Sequence, residues 1–213
     1  MNKVLTIISF VAIILCFSYI VNLSPMNTAK AATHDVSLDT DVMAAITFDI
    51  TLNDAVNFGA LTPATPISAP VGGTIATVTT SASNGYTLGV HDGSATNSAL
   101  LHVVDGTTYI PDYAGTIATP TAWTGTGLGI TVFAGDHAPD AKWCAPAATC
   151  NSYNDADNYY AGVPETATTA HTVTGYHAGP DTSSWAFKID VPASQKTGAY
   201  HGHVTFTAIG IVN

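Results

Sequence analysis

The 213-residue chain is 46% hydrophobic and only 9% charged, against roughly 25% charged in an ordinary soluble domain. Its five cations are all lysine, its fifteen acids include a single glutamate, Glu165, and its formal charge is −10. So little Glu, Lys and Arg argues against long exposed helices, and the lack of arginine argues against nucleic-acid phosphates as partners.

At the N-terminus, Lys3 precedes eighteen uncharged positions, residues 4–21, followed by a polar stretch broken at Pro25 and by Ala29-Lys30-Ala31. That order predicts a signal peptide over residues 1–31, cut after a small-x-small site. It leaves residues 32–213 as one exported domain, extracellular or at the cell surface. The rival reading is an uncleaved anchor, since eighteen apolar positions just reach spanning length; only then would the membrane be a partner. Without the leader, Lys142, Lys188 and Lys196 face fifteen acids, a net charge of −12, and such a surface repels anionic polymers and membranes.

Strand signals follow. Ile46, Phe48, Ile50 and Leu52 alternate with polar residues, the period of a strand with one buried face. Residues 62–70 are broken by proline, residues 74–81 form a Thr-rich strand, and Ser83-Asn84-Gly85 marks a turn. Tyr86, Leu88 and Val90 alternate after it, which predicts a hairpin. Residues 100–104 and 128–133 are further strands. Trp185, Phe187, Ile189 and Val191 alternate before the turn at 192–198, and Tyr200, Gly202, Val204, Phe206 and Ala208 alternate after it. Seven or more short strands without a helical period predict an all-β chain, a single antiparallel β-sandwich of immunoglobulin-like or jelly-roll-like plan.

Between residues 134 and 172 the alternation fails, and a stretch this long predicts a folded excursion at one end of the sandwich. It contains Cys144 and Cys150. In an exported chain two cysteines six positions apart read as a disulfide closing a small loop.

Three segments carry a resemblance. Val56-Asn57-Phe58-Gly59-Ala60-Leu61-Thr62-Pro63, Ala82-Ser83-Asn84-Gly85-Tyr86-Thr87-Leu88, and Ile189-Asp190-Val191-Pro192-Ala193-Ser194-Gln195-Lys196-Thr197-Gly198-Ala199-Tyr200 resemble motifs of secreted β-sandwich surface proteins of candidate-phyla bacteria. These are similar in plan to WxL-type cell-wall-binding domains and to spore-coat and fimbrial sandwiches. The resemblance spans roughly residues 40–210. It implies a surface or matrix component without enzymatic activity. It departs from the WxL pattern, because paired Trp-x-Leu motifs are replaced by a single Trp185-Ala186-Phe187, and peptidoglycan binding is not carried over.

The chemistry-bearing residues are few. Trp143, Tyr153, Tyr159 and Tyr160 could present flat rings to a sugar, or else form the excursion's own small core. Asn154, Asp155 and Asp157 cluster hard oxygens of the kind calcium prefers, without EF-hand spacing, so that a polar loop tip is the plainer reading and no cofactor is expected. His201-x-His203 has chelating spacing on a strand but implies no third ligand, and the remaining histidines, His137 and His177 among them, form no motif. No Gly-x-Ser-x-Gly turn supports a Ser-His-Asp nucleophile, and a single Glu leaves no evident carboxylate pair for a glycosidase. The expectation is a secreted or cell-surface structural protein (coat, matrix, filament subunit or adhesin domain) that is not an enzyme. The alternative is a carbohydrate- or cell-wall-binding module using the aromatics of residues 143–160. Residues 33–45, with Val36, Leu38 and Val42 in partial alternation, would either form an edge strand of their own domain or complete the sheet of a neighbouring copy.

Overall fold

The computed structural model describes Thr40, residues 42–92 and residues 100–212. The expected signal peptide and most of residues 33–45 lie outside these. In chain order the strands are β1 (Ile46–Leu52), β2 (Ile67–Thr80), β3 (Gly85–His91), β4 (Leu100–His102), β5 (Tyr109–Ile110), β6 (Thr121–Ala122), β7 (Gly127–Gly135), β8 (Tyr159–Gly162), β9 (Thr168–Thr174), β10 (Asp181–Asp190), β11 (Tyr200–His201) and β12 (Thr205–Gly210). One 3-10 turn, Ala141–Trp143, interrupts them. No helix among the described residues is long and apolar enough to cross a membrane.

The strands pair antiparallel into a six-stranded sheet, β1-β2-β10-β7-β8-β6, and two three-stranded sheets, β12-β3-β9 and β11-β4-β5. Packed together they make a β-sandwich. β10 lies at its centre, with β2 on one side and β7 on the other. The alternation at 185–191 does what its period requires: Trp185, Phe187, Ile189 and Val191 turn inward. There they join Val78, Ile130 and Val132 of the large sheet and Tyr86, Leu88, Val90 and Val173 of the facing one in a single core. Each such side chain, fully buried, stabilises the fold by roughly 1.5–3 kcal/mol. The Trp185 ring meets Phe206 of β12 edge-on at 5.0 Å, so the last strand is held to the centre of the large sheet by aromatic contact across the layers.

The turn at 83–85 does not close a hairpin. Both edges of β2 are already taken, by β1 and β10. The chain therefore crosses to the other sheet, where β3 lies between β12 and β9. Gly85 makes that crossing with φ +90°, and a Cβ there would lie 2.0 Å from the carbonyl oxygen of Val173, so only glycine fits. The closing turn is also a crossover, because β10 and β12 belong to different sheets. The single strand expected over 200–208 is split into β11 and β12, with Gly202, His203 and Val204 outside both. The proline-broken stretch at 62–70 is shorter than expected, since β2 begins at Ile67.

The excursion is also shorter than residues 134–172. Its last third returns to the sandwich as β8, beside β7, and β9, beside β3. β7 is buried on both faces. Its outer face is covered by a layer that the alternation did not indicate: Tyr113 stacks on Trp123 at 4.3 Å, and Trp123 meets Tyr160 edge-on at 5.4 Å. A Cβ on Gly129 of β7 would come within 2.9 Å of the Trp123 ring. The Lys188 ammonium sits over Trp123 and Tyr160, 5.5 and 5.1 Å from their centroids. Burial holds its pKa below the usual lysine value, and the ring faces stabilise the cation that burial disfavours.

Candidate functional site

Cys144 and Cys150 form the expected disulfide, their Cα atoms 5.8 Å apart. The loop it closes lies against residues 157–158 through the Ala145 N–H bond to the Asp157 carbonyl, 2.9 Å, and a β-bridge between Cys144 and Asn158. The four aromatic residues of the loop do not share an exposed face. Trp143 is 1% exposed and belongs to the main core, where its Nε1 donates to the Ala170 carbonyl at 3.0 Å. Tyr160 is fully buried and lies next to half-buried Tyr159 on β8, so their side chains point to opposite faces of the strand. Tyr153 is half-buried in the turn beyond. Of the two readings, ring platform or small core, the burial of Trp143 and Tyr160 is nearer the second, with Trp143 joining the main core rather than a separate one, which fastens the excursion to the sandwich.

Two of the oxygens proposed for calcium make local bonds. Asn154 Oδ1 accepts from the Ser152 hydroxyl at 2.9 Å, and Asp155 Oδ1 accepts the Asp157 N–H at 3.0 Å. Asn158, beside them, donates from Nδ2 to the Ser152 carbonyl at 2.8 Å. These bonds brace a turn, as Asx residues commonly do.

At the other end of the sandwich, the 56–63 segment and the turn after β10 enclose a groove of about 750 Å³ whose lining includes Phe58, Leu61, Leu100, Ile110 and Tyr200. Polar side chains at its rim hold the backbone. Gln195 Nε2 donates to the Tyr109 carbonyl at 3.1 Å and to the Tyr200 hydroxyl at 2.7 Å. Asp105 accepts from the Lys196 ammonium and from the N–H groups of Thr107 and Thr108. Lys196 first, then these N–H groups, hold its carboxyl far below the usual carboxylate range.

A third arrangement lies where β7 ends and β10 begins. β7 and β10 pair up to Ser183 and Gly135, and the ladder is carried one step further by one backbone bond and two side-chain bonds. The Asp136 N–H donates to the Thr182 carbonyl at 2.9 Å, and Thr182 returns its N–H and its hydroxyl to Asp136 Oδ2 at 2.7 and 2.8 Å. These bonds hold the Asp136 carboxyl below its ordinary pKa. His137 and Asp181, the next residues out, are thereby set opposite each other, with His137 Nε2 3.4 Å from Asp181 Oδ1. The loop between β9 and β10 brings in His177, whose ring centroid lies 4.0 Å from that of His137. His177 Nε2–H donates to the Thr174 carbonyl at 3.2 Å. Ligand atoms of His137, His177 and Asp181 all lie within 4.8 Å of one another. Among the described residues this is the one group of three His, Cys, Asp or Glu side chains so placed.

The surroundings are acidic and partly closed. Asp181 is 8% exposed. Burial pushes the Tyr86 phenol well up, with Asp181 and Asp136 adding to the shift. His171, buried on β9, is close enough to feel the charges of Asp140, His137 and Asp181, and burial pushes its pKa down. His201 and His203, by contrast, are both exposed, His201 on β11 and His203 outside the strands. Sequence spacing could not find this cluster. Its members come from two loops and a strand start, and forty residues separate His137 from His177. The only local sign was two histidines and an aspartate flanking strand ends that pair.

Comparison with protein-family models gives no match for this chain, and comparison with curated proteins gives none either.

Proposed function

We propose that the chain is a structural module of a secreted or cell-surface layer (a coat, matrix, filament subunit or adhesin domain) that acts by presenting its strand edges and faces rather than by catalysis. The observation that carries this reading is the flank where both main sheets end. β1 closes the six-stranded sheet and β12 the facing three-stranded one. The two lie next to each other without pairing. Along this flank Phe48, Ile50, Phe206 and Ala208 are only partly covered, while Val42 and Met43 are 87% and 89% exposed and Ile209 is 60% exposed. Among the described residues this edge has no strand partner, and such an edge rimmed with apolar side chains is a template for a strand from another chain. The disulfide supports an oxidising compartment, and the resemblance carried by the motifs at 56–63, 82–88 and 189–200 supports a surface role.

The glycan-binding alternative has less support, since two of its four aromatic residues, Trp143 and Tyr160, are buried, while Tyr153 and Tyr159 are half-buried. The assembly reading is tested by deleting residues 33–45 and comparing molar mass by light scattering in low and physiological salt. The acidic chain repels itself at low ionic strength, so assembly should strengthen as salt screens the charge. It should weaken in the deletion. A full chain that stays monomeric in both salts at high concentration overturns it.

A further inference from the structure

We propose that His137, His177 and Asp181 form a binding site for one divalent transition-metal ion of the zinc class, independently of whether the chain assembles. Two imidazoles and a carboxylate are borderline donors that suit Zn²⁺, whereas Ca²⁺ and Mg²⁺ take oxygen ligands. The distances fit the same ion. Bonds of 2.0–2.1 Å to a tetrahedral zinc place neighbouring ligand atoms about 3.4 Å apart, and His137 Nε2 and Asp181 Oδ1 stand 3.4 Å apart. His177 completes the set, its ligand atom within 4.8 Å of the other two.

The site is held in advance by groups that are not ligands. The paired bonds between Asp136 and Thr182 fix the register that sets His137 against Asp181. The Thr174 carbonyl takes the Nε2 proton of His177, which leaves the lone pair on its Nδ1. Outer hydrogen bonds of this kind choose the tautomer and aim the ring in metal centres. The field is favourable as well: Asp136 and Asp140 add negative charge nearby, and the neighbouring cation, Lys142, is paired with Asp140 at 3.3 Å. Three protein donors leave the fourth tetrahedral position to solvent. A bound ion would join the loop after β7 to the loop before β10 and clamp that end of the sandwich.

A simple ion pair between protonated His137 and Asp181 is the competing account, and it needs neither His177 nor a metal. The test uses untagged full chain dialysed to equilibrium against Zn²⁺, with bound metal counted by elemental analysis and affinity measured by calorimetric titration. The expected result is one Zn²⁺ per chain. His177→Ala, on a loop, should weaken it at least about tenfold, His137→Gln should do the same, and His203→Ala should leave it unchanged. Near-UV circular dichroism of each variant shows whether the core tryptophans keep their packing. Absence of saturable uptake, binding unaffected by His177→Ala in a folded variant, or equal uptake of Ca²⁺ that ignores His177→Ala would each overturn the proposal.

Discussion

Asp136 and Thr182 exchange three hydrogen bonds, two of them converging on one carboxylate oxygen, Oδ2, at 2.7 and 2.8 Å, and the third running from the Asp136 N–H to the Thr182 carbonyl at 2.9 Å. One backbone bond and two side-chain bonds thus carry the β7–β10 ladder one step past the ends of the strands. His137 and Asp181 are the next residues beyond this bracket, 3.4 Å apart.

Thr182→Val keeps the backbone N–H and removes only the hydroxyl. The loss of one such bond should cost about 0.5–1.5 kcal/mol, read from urea unfolding. The same variant should weaken Zn²⁺ binding without touching a ligand atom. A variant with wild-type stability and wild-type Zn²⁺ affinity would show that the bracket does not position the site.

The cysteine pair and the tryptophan beside it should behave very differently. The disulfide closes a loop of six-residue separation, so Cys144→Ala with Cys150→Ala should lower stability by roughly 1–3 kcal/mol and leave the sandwich folded. Trp143→Ala empties a site in the main core and should cost about 3–5 kcal/mol. Denaturant titration of both variants checks the order, and a double cysteine variant that unfolds outright would contradict it.

Asp105 sets a pH dependence. Lys196 and the Thr108 and Thr107 N–H groups hold its folded pKa far below that of the unfolded chain. The stability it contributes is therefore fully present above the unfolded value, about 3.9, and is lost as pH falls toward the folded value. Asp105→Asn should be less stable than wild type at pH 7, and the gap should narrow steadily below about pH 4. Unfolding curves at pH 7, 4 and 3 measure this. A gap that stays constant through that range would place its cause outside the carboxylate charge.

The sandwich was legible because alternation marks strands at its centre and at its edge: Trp185, Phe187 and Ile189 point inward from β10, and Ile46 to Leu52 form the edge strand β1. The partners of those strands were not legible. Ser83-Asn84-Gly85 specifies that the chain turns, and the same local chemistry serves a hairpin or a crossover; the choice was made by β1 and β10, which occupy both edges of β2. The aromatic residues of the excursion left two readings open for a related reason. A Trp in a loop can face either way, and Trp143 turns inward because the Ala170 carbonyl accepts its N–H and the core takes its ring. The histidine cluster was hidden by distance along the chain, since only the pairing of β7 with β10 brings residue 137 to residue 181.

The most direct measurement of the central claim is the molar mass of the full chain and of Ile209→Lys, by light scattering over a concentration series in physiological salt. Ile209 is exposed on β12, so the change places a charge on the open edge without emptying the core. If the chain is a surface module that assembles through the β1–β12 flank, the wild type grows beyond one chain with concentration and Ile209→Lys stays at the mass of one. A wild type that remains a single chain throughout, or an Ile209→Lys variant that assembles equally well, would contradict it.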